Sequence, residues 1–332
     1  MTAAVSGGPD SLALLLLACA AGCRVEVVHV DHGLRPGSDS DADVVRAAAA
    51  RFAVPVTVHR VEVPAGANLE ARARAARYAV LPAGVLVGHT ADDQAETVLL
   101  NLLRGAGLDG LAAMAGADDC AVGSHIDHLL HNGPPVAGPP PAPRVRRPLL
   151  GLRRAETEAL CAAAGWDPVR DPTNDDLRFR RNQVRHRLLP LLAEVGGRDP
   201  VPVLGRQAAL LAEEAALLDR LASEIDPCDA RALAAAPVAL ARRAVRDWLR
   251  SGGDAEAHPP SGAEVTRVLA VARGDAVGTE LSGARRVRRS AGRLRVESPA
   301  PGPAAEAGHF PQPGLYQGER CCVDSPRNEG PG

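Results

Sequence analysis

Ser6, Gly7, Gly8, Pro9, Asp10 and Ser11 stand in one string between two apolar runs, residues 3–5 and 12–17. The order reads as a short strand, a small-residue turn and an apolar helix. Small residues let backbone N–H groups close around an anion. The first helical turn adds unpaired N–H groups and the positive end of the helix dipole. Together they make a phosphate cradle. It is not the Walker pattern, because no Gly-Lys-Ser/Thr follows and the chain contains no lysine. Asp10 is the odd member. A carboxylate beside a phosphate is repelled unless a metal lies between them, so Asp10 points to Mg²⁺. The glycines alone would also suit an ordinary strand-to-helix turn.

Three further polar groups follow apolar or helical runs. His29, Asp31 and His32 close the run 25–30, which is apolar on both faces like a buried parallel strand. Ligands bind at the ends of such strands, although loop capping uses the same residue types. Arg74 and Arg77 share one face of a helix that Asn68 is placed to cap. The run 85–88 then delivers His89, Thr90, Asp92, Asp93 and Glu96. Asp93 and Glu96 lie one turn apart on one face. Paired carboxylates can hold a metal or an ammonium group, and acids also favour a helix N-terminus for its own sake. Farther on, Arg178, Arg181 and Arg185 recur at helical spacing, with Asn182 among them. That basic stripe suits a phosphate backbone.

The elements that must position these residues follow from composition and pattern. A length of 332 residues suggests two domains. Hydrophobic residues make up 46% and aromatics only 2%, so the core must be built from Ala, Val and Leu. The net charge of -2 decides nothing by itself, but the arginines cluster at 144–154, 178–187 and 285–295. The seven cysteines form no Cys-x-x-Cys, which argues against a zinc ribbon or an iron–sulfur cluster. Free thiols fit a cytoplasmic protein. No signal peptide is evident, and the run 12–17 is too short to span a bilayer, so no membrane role is expected. The expected architecture is α/β: a parallel-sheet domain over residues 1–190, then a smaller, mostly α-helical domain with a basic β-hairpin over residues 200–298. Residues 118–143 and 299–332, rich in Pro and Gly, read as a flexible insertion and a disordered tail.

Taken in order, residues 6–11, 29–35, 74–78, 88–97, 171–174 and 181–190 resemble the tRNA(Ile)-lysidine synthetases, with 105–110 and 281–296 fitting as well. The match runs from about residue 3 to 298, and the combination is far more specific than any one string. The resemblance implies a PP-loop ATP pyrophosphatase fold, of the adenine nucleotide α-hydrolase-like type. It implies ATP and Mg²⁺ as cofactors, and free L-lysine and a tRNA(Ile) with a CAU anticodon as substrates. ATP would adenylylate the wobble cytidine, and the lysine ε-amine would then displace AMP from C2. Carried over residue by residue, Ser6, Gly7, Gly8, Pro9, Asp10 and Ser11 bind ATP, with Asp10 on the metal. Asp10, Arg77, Asp93 and Glu96 take the catalytic roles. Asp31, His32, His89, Asp92 and Arg74 contact nucleotide or lysine. Arg178, Arg181, Asn182 and Arg185 face tRNA. A homodimer is left open. The rivals are a PP-loop tRNA thiolase, another PP-loop ligase, and a non-catalytic nucleotide-binding module. A thiolase commonly needs paired cysteines, and Cys19 and Cys23 lie on the first helix, away from the loop.

Overall fold

Four of the apolar runs become parallel strands: β1 (Thr2–Ala4), β2 (Glu26–Asp31), β3 (Val56–Arg60) and β4 (Leu86–Val87), in the order β3-β2-β1-β4. The structure is a computed structural model and describes residues 1–33, 38–63, 69–115, 145–251 and 260–297. The expected insertion at 118–143, the tail at 299–332, the Asn68 cap and the last two residues of the string 29–35 lie outside the described residues. Central β1 pairs on both sides, Ala3 lying opposite Val27 and Leu86. Side chains alternate across the sheet. Ala3, Val5 and Val27 enter a core with Leu12, Leu15 and Val45, from α1 (Pro9–Ala20) and α2 (Asp39–Ala50). Val28 and Val87 face the other way, toward Leu81 and Tyr78 at the end of α3 (Leu69–Val80). Small aliphatic side chains fill both layers, as the scarcity of aromatics requires.

Strand order reverses at β1, with β2 on one side and β4 on the other. In an open α/β sheet that reversal opens a crevice at the carboxyl ends of the two strands. Residues 6–11 follow β1 there, and α4 (Ala91–Leu103) follows β4. The two connections touch. A Cβ on Gly88 would sit 2.7 Å from the Asp10 carbonyl oxygen, so only glycine lets the end of β4 approach the loop this closely. Gly7 has φ +90°, a conformation costly for any side chain. After the short α5 (Leu108–Ala112), the described chain resumes beside β4, with Val87 N–H on the Arg146 carbonyl at 2.9 Å. It then forms α6 (Arg154–Ala163), which packs on α1.

The basic segment is helical in three parts: α7 (Arg180–Gln183), a π-helical turn (Val184–Leu188) and α8 (Leu189–Gly196). The widened turn falls directly before Pro190, which has no N–H to bond back into the helix. The long α9 (Pro200–Ser223) packs on α4 and α5, bringing Val201 against Ala91, Ala95 and Leu99. The first compact unit therefore runs from Met1 to Glu224, past the boundary expected between 190 and 200. Pro200 marks a helix start, and a proline at the first helical position reads the same as one in a linker.

The second unit begins at Ile225. It holds α10 (Ala230–Ala235), α11 (Val238–Ser251), α12 (Gly262–Arg273) and an antiparallel sheet, β5 (Gly278–Glu280), β6 (Arg286–Ser290) and β7 (Arg293–Glu297). The expected hairpin is β6–β7. β5 is three residues long and too short to show an alternating pattern. Val287 and Leu294 are buried, while Arg286, Arg288, Arg293 and Arg295 are exposed. Glu264 fastens this sheet to α12. It accepts the Ser282 N–H and hydroxyl, both at 2.7 Å, and the Ser261 N–H and hydroxyl at 2.7 and 2.8 Å. These donors pull its pKa from 4.5 down to about 2. A carboxylate with a depressed folded pKa stabilises fully above its unfolded pKa and loses that contribution as pH falls through the folded value. Stability from Glu264 is thus expected to fade between 4.5 and about 2. Glu264→Gln should cost on the order of 2 kcal/mol at neutral pH. Thermal melts of both proteins at pH 7 and pH 3 check this; equal melting at pH 7 would refute it.

Candidate active site

The phosphate loop is braced from within. Ser11 Oγ donates to the Gly8 carbonyl at 2.9 Å and accepts the Ser6 N–H at 3.1 Å. The first helical N–H to find a carbonyl is that of Leu12, on Gly8 O at 3.0 Å. The N–H groups of Asp10 and Ser11 therefore precede the ladder and are free for an anion. Pro9 occupies the first helical turn, where a missing N–H costs nothing.

The acids at the start of α4 are arranged differently from the loop. Thr90 caps the helix, and Asp93 returns the bond, its Oδ2 accepting the Thr90 N–H at 2.9 Å. That leaves Oδ1, which meets Arg154 Nη2 at 2.9 Å and Arg181 Nη2 at 3.1 Å. One turn on, Glu96 is 0% exposed. Its Oε1 accepts from Arg185 Nε at 2.7 Å and Arg154 Nη1 at 3.4 Å. Its Oε2 accepts from Arg181 Nε at 2.6 Å and Arg185 Nη2 at 3.2 Å. Arg154 also places Nε 3.5 Å from Asp10 Oδ2, and the Thr157 hydroxyl bonds the other Asp10 oxygen. One guanidinium thus touches Asp10, Asp93 and Glu96. Three carboxylates face three guanidiniums, and the cluster is neutral as a whole.

Electrostatics follow the partners. Burial raises the Asp10 pKa, more than Thr157 and Arg154 lower it. For Asp93 burial works upward too, but Arg181 and Arg154 outweigh it and hold the carboxyl below its usual range. Burial opposes the charge of Arg154, and Asp93, Glu96 and Asp10 more than offset that. His89 is pushed down to about 4 by burial and is neutral at pH 7, accepting from Arg147 Nε at 3.3 Å.

A second group lies at the end of β2. His29 Nδ1–H donates to the Val5 carbonyl at 2.8 Å, so its buried Nε2 is an acceptor, with no partner among the described residues. His32 Nε2 accepts from Arg77 Nε at 3.2 Å, so its Nδ1–H is a donor, also without a partner among the described residues. Asp31 accepts the Gly33 N–H at 2.9 Å, which helps hold its carboxyl ionised and below the usual range. Arg74 is exposed and stacks on Tyr78, 5.0 Å from the ring centre.

Several expected roles change. Arg181 and Arg185 do not form an outward stripe; they turn inward onto Glu96 and Asp93. Spacing shows that two residues share a helix face, but not which way the face points. Asn182 is buried and donates to the carbonyls of Thr173 and Asp176 at 2.8 and 2.9 Å, bracing the preceding turn. Arg178 precedes the helix and pairs with Asp176 at 2.6 Å. Asp92 bonds Arg153 at 3.0 Å and the Arg154 N–H at 2.8 Å, fixing the start of α6. Asp93 and Glu96 are not bare carboxylates: arginines already pair with both. Sequence reading missed Arg154 and Thr157. The available signal was the acid pair itself: a buried carboxylate needs a fixed cation, and Arg154 closes the basic stretch 144–154.

Arg154→Ala leaves three carboxylates facing two guanidiniums. Breaking a buried pair from one side costs about 3–5 kcal/mol. The melting temperature of the first unit should drop sharply, and Arg154→Lys should recover only part, since an ammonium cannot bridge three carboxylates in fixed geometry. A thermal melt of both variants tests this; wild-type melting of Arg154→Ala would refute the bridge.

Comparison with known proteins agrees with this layout. A family profile described as a PP-loop domain matches residues 1–192, and one described as the TilS substrate binding domain matches residues 229–295. A tRNA(Ile)-lysidine synthase of Nocardia farcinica is 40% identical over 322 residues, covering 91% of this chain and 92% of that one. The enzyme of the same name from Mycolicibacterium paratuberculosis is 43% identical over 262 residues, covering 75% and 74%. A solved U34-tRNA thiolase from Methanococcus maripaludis overlays with a TM-score of 0.49 at 16% identity, covering 64% of this chain and 71% of that one. With both domain profiles in sequence order and 40% identity over nearly the whole of a relative, the chain belongs to the tRNA(Ile)-lysidine synthase family.

Proposed function

We propose that this protein joins free L-lysine to C2 of the wobble cytidine in a tRNA(Ile) with a CAU anticodon. In the first step the cytidine O2 attacks the α-phosphorus of ATP and pyrophosphate leaves. In the second the lysine ε-nitrogen bonds C2, the C2–O2 bond breaks, and AMP departs with the oxygen. The observation that carries this reading is the neutral acid–arginine cluster beside a phosphate loop, at the crevice between β1 and β4, in a chain of this family.

The chain's own residues suit these steps. Loop N–H groups, with Ser6 and Ser11, receive phosphates. His29 Nε2 and His32 Nδ1–H offer one acceptor and one donor, which matches the edge of an adenine. Arg77, held at the β2 end by His32, is placed for charge near the α-phosphate. Asp10 fits Mg²⁺ as a single carboxylate, because that ion usually takes one or two carboxylates plus substrate phosphates. No cluster of three His, Cys, Asp or Glu side chains that could hold a metal stands among the described residues, and substrate phosphates and water would supply the remaining ligands. When bound, the ion supplies Lewis-acid help to phosphoryl transfer. The Asp93 Oδ1 side is our choice for the lysine amine, where it would share the oxygen with Arg154 and Arg181. Glu96, with four N–H contacts, holds the arginines and is not a free receptor.

Arg181 and Arg185 of the expected stripe are paired inward, and the second unit offers a further RNA-contacting surface. On β6 and β7, Arg288 lies directly opposite Arg295, both exposed. Like charges facing across a ladder are unfavourable alone and favourable with a phosphate between them. A thiolase is not favoured: Cys19 ends α1 and Cys23 follows it, at the opposite end of that helix from the loop. No helix among the described residues is long and apolar enough to cross a membrane, which fits a cytoplasmic enzyme.

Two measurements test the reading. Incubation with ATP, lysine and a tRNA(Ile) CAU transcript should yield lysidine by nucleoside mass spectrometry, and its absence would refute the function. Asp10→Asn should keep the fold yet slow tRNA-stimulated pyrophosphate release by about 10²-fold or more. Undiminished release would remove Asp10 from the metal role.

A further inference from the structure

We propose that a groove between the end of α4 and the basic segment takes a nucleotide of the tRNA that flanks the reacting anticodon base, an inference that rests on the proposed function. Arginines of this segment divide. Arg181 and Arg185 turn in to Glu96. Arg180 and Arg187, together with Arg104 beyond the end of α4, rim a groove of about 400 Å³. All three are exposed. None of the three has an ion-pair partner among the described residues.

The apolar side of the groove includes Leu103, Leu188 and Leu191, of which Leu103 is 69% and Leu191 52% exposed. Among the described residues no carboxylate lines it. Leucines left in water beside three cations fit one kind of occupant best: an apolar face carried between anions. A nucleotide is that object, with a base to cover the leucines and phosphates on either side for the guanidiniums. A second copy of this chain fits poorly. A two-fold contact would bring the same patch from both copies together, six arginines with no acid among the lining residues. Position supports RNA as well. Glu96 precedes the lining Leu100 by four residues on α4, about 6 Å along the helix, so the groove lies within reach of neighbours of a base held at the active site.

The test measures binding of an unmodified tRNA(Ile) CAU transcript across a salt series, with sedimentation of each free protein alongside. The residues are on the surface, so their substitution should leave the fold intact, which a thermal melt confirms. The double variant Arg104→Ser/Arg187→Ser should weaken binding about tenfold and flatten the slope of log affinity against log salt by about 1.4, two single-strand phosphate contacts. The double variant Leu103→Ser/Leu191→Ser should weaken binding several-fold with the slope unchanged. Wild-type affinity and slope in the arginine variant overturn the proposal. So does a leucine variant that binds RNA normally but sediments as a smaller species, which would make the groove a contact between copies. If the wild-type protein binds the transcript yet forms no lysidine, the reaction reading fails, and the groove is decided by the variant affinities alone. A wild-type protein that does not bind the transcript overturns both.

Discussion

Glu96 has no exposed surface, and that constraint organises the first unit. An ionised carboxylate cannot be left dry without cations and hydrogen bonds around it. Its partners come from distant parts of the chain: Arg154 from α6, Arg181 from α7 and Arg185 from the π-turn. Arg154 then ties the same centre to Asp10 on the phosphate loop. The arrangement also resolves a conflict visible in the sequence. Acids beside a phosphate site should repel ATP by roughly 1 kcal/mol or more each at short range. Balanced by three guanidiniums, they present no net charge to an incoming nucleotide.

The sheet makes this meeting possible. β1 and β4 are adjacent in space, and both connections leave from the same edge. Gly88 lacks the Cβ that would press on the Asp10 backbone. The Asp93 capping box then fixes which carboxylate oxygen faces the crevice, since Oδ2 is committed to Thr90. A local rule of helix ends thereby sets the orientation of the Asp93 side chain.

Much of this was legible in the sequence. The phosphate loop, the parallel α/β layer and the basic hairpin follow from local pattern. What was not legible is direction and pairing across distance. Arg181 and Arg185 are four apart whichever way their face turns, and only packing on α4 decides it. Arg154 lies 58 residues from Glu96, beyond the reach of any local period. The reach of the first compact unit was hidden for a related reason: α9 has helical pattern enough to be found, but its attachment to α4 rests on Val201 and its neighbours meeting Ala95 and Leu99.

The choice of arginine at this centre has a chemical consequence. Arg154 uses Nε for Asp10, Nη2 for Asp93 and Nη1 for Glu96, one edge of a rigid plane for each acid. An ammonium on a flexible stem could neutralise the charge but could not hold three carboxylates at fixed angles. In a chain with no lysine, no side chain can bring an ε-ammonium to these acids. In the proposed reaction an ε-amine there comes from the substrate. It must also lose a proton before it can attack. A centre whose acids are already balanced by guanidiniums gains little from keeping that amine charged, whereas one built on bare carboxylates would hold it as the unreactive ammonium.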